Sequence, residues 1–173
     1  MIKIKRIVAI AILIFFASCK SQQAIDLKDA ISANDEQLKN IMISEGGAEE
    51  EKLNCLINKD FEGALAAIDK QERQFDSLIK KTSSLPVEGV KWGDSLQVAA
   101  INYYQALKTL HMADRAEIAQ QVIAYSDDTA KVRMAQDKIL ELSKEKQQLF
   151  QEVFDKDNKM HTILVRFNEE HGL

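Results

Sequence analysis

The sequence predicts an all-α protein, an antiparallel up-down-up-down four-helix bundle behind an N-terminal export signal. Three observations carry that prediction. After residue 24, apolar residues recur at intervals of three and four along almost the whole chain, the periodicity of helices that bury one stripe. Proline occurs once and glycine six times, and β-branched runs are absent from that region. Turn-forming residues gather at 58–60, 83–95 and 126–129, dividing the chain into four helical lengths joined by short, long and short connections.

The amino terminus comes first. Lys3, Lys5 and Arg6 form a basic start, Ile7 to Phe16 an apolar middle, and Ala17-Ser18 a small-residue cleavage site, the order of a secretory signal. The apolar run is half of the roughly 20 residues that a membrane-crossing helix requires. Phe16-Ala17-Ser18-Cys19 resembles the lipobox of bacterial lipoproteins, with Phe16 where Leu is usual. That resemblance implies that Cys19 is acylated and becomes the first residue of the mature chain. One acyl chain binds membranes marginally, at about 0.8 kcal/mol per buried CH₂, whereas two or more anchor stably. The expected organisation is a signal peptide at 1–18, the lipidated cysteine and a short linker at 19–24, and the bundle at 25–171. So short a linker reaches only about 20 Å, which keeps the domain close to the membrane.

Cleavage after Ser18 removes three of the 23 basic residues and none of the 27 acidic ones, moving the formal charge from −4 to −7. An acidic surface disfavours nucleic acid and has no attraction for anionic headgroups, so membrane association is expected through the lipid alone. Cys55, left without a partner once Cys19 is acylated, is expected as a small buried apolar residue.

The first helix runs from Ile25 to about Ile57, with Leu27, Ile31, Leu38, Ile41, Ala48 and Cys55 on one stripe that Asn34, Glu45 and Lys52 interrupt. Gly46-Gly47 costs about 1 kcal/mol per glycine and predicts a kink or short break. Asn58 or Asp60 caps the second helix, whose face is Phe61, Leu65, Ile68, Phe75 and Ile79. Pro86 ends it by disfavouring helical geometry at Leu85. The third helix starts after Asp94, with Gln97 placed as in a capping box, and shows Leu96, Ala100, Tyr103, Leu107, Leu110, Ile118, Val122 and Tyr125.

Ser126-Asp127-Asp128-Thr129 supplies a tight turn and an N-cap. The last helix then carries Val132, Ala135, Ile139, Leu142, Leu149, Val153, Met160, Ile163 and Phe167, interrupted at Lys146 and Lys156. At 1.5 Å per residue it extends about 60 Å against about 35 Å for the second helix, so its carboxyl end is expected to overhang. An arrangement in which helix pairs dimerise as open hairpins would use the same stripes.

The sequence offers little chemistry. A di-iron carboxylate centre needs Glu-x-x-His twice, but Lys108, Asn158 and Asn168 stand three residues before His111, His161 and His171. Haem-attachment, nucleophile-elbow, P-loop and zincin motifs are missing. EGGAEEEK (45–52) lacks the alternating ligands of a calcium loop and reads as a solvated acidic face. His111 reads as a boundary histidine bonded to Asp114, and Asn34, Asp114, Lys146 and Lys156 as rim or register-setting positions.

No catalytic residue, metal ligand or cofactor is therefore expected. Two residues stand out as candidate partner contacts. Trp92 either caps the open end of the core with its N–H on a carbonyl or anchors a partner. Tyr103 falls on the core stripe, and Tyr104 beside it is placed to flank a groove.

FFASCK, NKDFEGALAAIDK, the proline-containing connection ending in GDS, and AAINYYQALKTL together resemble small, functionally uncharacterised helical surface lipoproteins of the Bacteroidetes type, including a family named from Leptospira. The resemblance implies a helical bundle outside the cell or under the outer membrane, and it brings no activity or site residue. Lys20 stands where Asp would retain an enteric lipoprotein at the inner membrane, which points to the outer membrane; KSQQAID leaves its periplasmic and surface faces both open. The expected function is that of a non-enzymatic, lipid-anchored cell-envelope protein with a structural role or an envelope-protein partner. The alternative is a bundle that holds a small hydrophobic molecule or a metal between its helices.

Overall fold

Helices account for most of the chain in the computed structural model, which describes residues 2–173, with side chains from Gln22 onward. They are α1 (Ile2–Ile43), α2 (Ala48–Ile57), α3 (Phe61–Ser83), α4 (Gly93–Met112), α5 (Asp114–Ala124) and α6 (Thr129–His171), and no strand occurs among the described residues. The six form four rods, because α2 continues α1 and α5 continues α4. The rods alternate in direction, giving the expected all-α four-helix bundle. Ala24, placed in the linker by the sequence pattern, is helical and wholly buried. Among the described residues, no helix is long and apolar enough to cross a membrane.

The first break falls where the glycine pair predicts it. Gly46 takes φ +68°, a left-handed geometry that costs an L side chain. A Cβ on Gly47 would lie 2.8 Å from the Ser44 carbonyl oxygen. The second break, at Ala113, has no glycine or proline to announce it; the chain stays in right-handed geometry there.

Asp60 caps α3 by accepting from the Gly63 N–H at 2.9 Å, and Asp128 caps α6 by accepting from Ala130 and Lys131. The capping box expected at Asp94 and Gln97 does not form. Trp92 occupies the N-cap of α4, and the Gln97 amide instead donates to the Thr82 and Leu85 carbonyls at 3.0 and 3.1 Å. Gln97 thereby satisfies acceptors that the end of α3 leaves free. The carboxyl end of α6 does not overhang: His171 Nε2 donates to the Lys91 carbonyl at 2.9 Å, level with the α3–α4 connection.

Two apolar clusters make the core. The larger contains Leu27, Ile31, Phe75, Leu96, Met160 and Phe167 among others. The smaller centres on Ala64, Ile68 and Ile118, with Leu56 and Phe61 packed against it. A polar belt separates them.

Candidate functional site

The belt crosses all four rods at one level. From α2, Glu49 and Lys52 point inward, and Lys52 is almost fully buried. The Lys52 ammonium meets Glu49 at 2.7 Å and Asp114 of α5 at 2.5 Å. Gln71 of α3 donates to Glu49 at 3.0 Å, and His111 of α4 lies 3.2 Å from the same carboxylate. Lys146 of α6 completes the belt by pairing with Asp114, with Glu117 at 3.6 Å. Buried polar groups must be paired because their desolvation costs kilocalories, and here each charge has an opposite charge beside it.

This pairing sets the chemistry. Burial pushes the Glu49 carboxyl up, but the bonds from His111, Lys52 and Gln71 outweigh it and hold the pKa at about 2. Burial lowers Lys146, yet the bond and charge of Asp114 raise it overall. A general base works best with a pKa near the operating pH, and a nucleophilic lysine needs a depressed one. Both groups are displaced the other way.

One side of the bundle carries a surface seam. Among the described residues, the α6 backbone lies close along α4 and α5 and that of α1 and α2 along α3; α6 meets α1 through side chains, Met160 and Phe167 sharing the larger cluster with Leu27, Ile31 and Leu38. A seam runs between these rods from Lys146 to Leu164 of α6, about 27 Å at 1.5 Å per residue. Three hollows of about 250, 320 and 230 Å³ lie along it. The middle one has Met42, Leu107, Leu110, Phe150 and Val153 for walls and the belt residues Glu49, His111, Asp114 and Lys146 beneath. Phe150 is 56% exposed, and Phe154, one turn further, is 59% exposed. A half-open aromatic residue on a seam, here Phe150, is a feature of surfaces that another molecule covers.

The predicted candidates are distributed unevenly. Tyr104 does not flank a groove: it is wholly buried, and its hydroxyl donates to Asp35 at 2.5 Å. Both tyrosines lie within three or four residues of Ala100 and Leu107, so the stripe admits either, and the Asp35 carboxylate supplies the acceptor that takes Tyr104 inside. Tyr103 lines the seam instead. Trp92 is 36% exposed, with φ +64° and the Arg166 guanidinium 5.7 Å from its ring centre. Cys55 is half-buried beside the smaller cluster, its thiol raised by burial and then by Asp60. Cys19 precedes the described side chains.

Of the positions expected at the rim or setting register, Asn34 and Asp114 lie inward: Asn34 donates to Thr82 at 3.0 Å inside the core, and Asp114 is met by both Lys52 and Lys146. His111 bonds Glu49 rather than Asp114. Glu49 was missed because it sits in an acidic run; its only signal is a position three residues before the seam residue Lys52. Among the described residues, no group of three His, Cys, Asp or Glu side chains is placed to hold a metal. Comparison with protein-family models, curated proteins and solved structures finds no match to the chain.

Proposed function

We propose that the protein is a non-enzymatic, lipid-anchored component of the bacterial outer membrane whose open seam receives a helical segment of another envelope protein. One observation carries the reading. Between α6 and the α1–α2 rod a hollow stays open to the surface, and Phe150, Met42 and Val153 line it with apolar surface. An amphipathic helix laid in a groove buries such a stripe without new backbone demands. The belt supports a non-catalytic role, since its acids and bases neutralise one another.

The test is a photo-crosslinking amino acid placed at Phe150 in the full chain, made in cells that process it, with Arg73 on another rod as control position. An adduct with one envelope protein at 150 and none at 73 is expected. Equal adducts at both, or none at 150, would remove the seam as the docking surface. The middle hollow of about 320 Å³ favours a second reading, a small hydrophobic ligand. Native mass spectrometry of the purified protein decides it: a retained organic mass supports the ligand, bare protein the helix.

A further inference from the structure

We propose that the α3–α4 connection is the membrane-facing end of the domain and that Trp92 inserts into the lipid headgroup layer. The inference rests on Cys19 being acylated and goes beyond it, since a tether alone fixes no orientation.

Chain geometry places the membrane. Gln22 is the first residue with a described side chain, and Cys19 lies three residues before it, within about 11 Å even if fully extended. Five helical residues further, about 7.5 Å along the axis, Leu27 meets the α3–α4 connection. A Cβ on Gly93 would lie 3.3 Å from its Cδ2. The indole of Trp92 therefore lies at the end of the bundle where α1 joins it, within about 20 Å of the acylated position.

The chemistry of that end suits an interface. Trp favours the headgroup layer because its ring is apolar and its N–H is polar. Trp92 is 36% exposed with the Arg166 cation over its ring, while Lys91 next in sequence pairs with Glu170 at 2.8 Å. Leu173, 39% exposed, ends beside it through the His171–Lys91 bond. The backbone at Trp92 is tied into the first turn of α4, because its carbonyl accepts from the Leu96 N–H at 2.9 Å.

The opposite end provides the control. Tyr125, 61% exposed, lies at the α5–α6 turn. It stands about 48 Å away along α4 and α5 at 1.5 Å per residue.

Trp92 is the sole tryptophan, so its fluorescence reports one place. The experiment uses the full chain, expressed so that it is processed, purified in detergent and reconstituted into phosphatidylcholine vesicles with and without bromine on the acyl chains. The vesicles are floated first. The expected result is flotation, a blue-shifted emission, and loss of most of that emission in brominated vesicles. A second protein carries Trp92→Phe and Tyr125→Trp, and its relocated indole is expected to float unquenched.

Flotation without quenching at Trp92, or equal quenching at both positions, overturns the orientation while leaving the anchor intact. Failure to float removes the anchor and the proposal with it. A helicity spectrum matching the parent checks that the second protein is folded.

Discussion

Asp114→Asn tests whether the polar belt ties the rods together. The substitution keeps the shape and removes the charge that two ammonium groups share. Lys52 is left with Glu49 alone while only 3% of its side chain is exposed, and Lys146 falls back on Glu117 at 3.6 Å. Removing one partner of a buried ion pair costs about 3–5 kcal/mol, because the other charge stays desolvated. Asp114 is 15% exposed and borders two open hollows, which reduces the cost to about 2–3 kcal/mol. For a domain of this size that is a fall in Tm of about 5–10 °C.

Urea and thermal unfolding, followed by the helical circular dichroism signal at neutral pH, measure both quantities. Lys52→Met combined with Asp114→Leu replaces the pair with apolar groups, and should lose less than the sum of its single changes. A cost for Asp114→Asn below about 0.5 kcal/mol, the scale of an ordinary surface change, would refute the reasoning. So would strict additivity in the double variant, since the charges would then be solvated and independent.

Other outcomes follow from the same contacts. Glu49 has a folded pKa of about 2 against an ordinary value of 4.5, so its stabilisation is complete above pH 4.5 and is lost as pH falls toward 2. Glu49→Gln should flatten the acid limb of a plot of Tm against pH in that window. Asp35 has the opposite sign: burial raises it above 3.8 despite the Tyr104 bond, so its stabilisation holds below that value and fades as pH rises. Asp35→Asn keeps an acceptor for Tyr104 and should raise Tm at neutral pH but not in acid. Phe167→Ala removes a wholly buried ring and should cost about 3–5 kcal/mol. Lys91→Ala breaks only the exposed pair with Glu170 and should change stability by about 0.5 kcal/mol or less. Cys19→Ala should abolish incorporation of labelled palmitate; label persisting in that variant would remove the anchor.

Helix type, four rods and most of the buried stripe were legible because they depend on period and breakers, which are local. Asp60, Asp128 and Gly46 act as their residue types predict. The cap at Asp94 was misread because Gln97 found better acceptors on α3, a choice made by tertiary packing. The break at Ala113 carries no local mark. The belt was half legible: Lys52, Asp114 and Lys146 each stand out as polar residues on an apolar seam, but only the fold brings residues 62 and 32 positions apart onto one carboxylate. Tyr103 and Tyr104 show the limit of a stripe that two adjacent positions satisfy equally.

The breaks, the belt and the open seam have one physical origin. Each break starts a new helix inside the bundle, and the amino end of a helix carries partial positive charge from unpaired N–H groups. Carboxylates are favoured there, and both new helices have them: Glu49, Glu50 and Glu51 in the first turn of α2, Asp114 and Glu117 in that of α5. Two of these, Glu49 and Asp114, turn toward the core, where a carboxylate is costly without a cation. Lys52 neutralises both at once, and Lys146 reaches Asp114 from α6. That last contact holds α6 against α5, beside the continuous packing of α6 on α4. The belt supplies no matching tie from α6 to α2, since the Lys52 ammonium is already committed to Glu49 and Asp114. At the level of the belt α6 is therefore tied to α5 and not to α2, and the hollow beside it keeps Phe150 half-open while Leu107 and Leu110 beneath are buried.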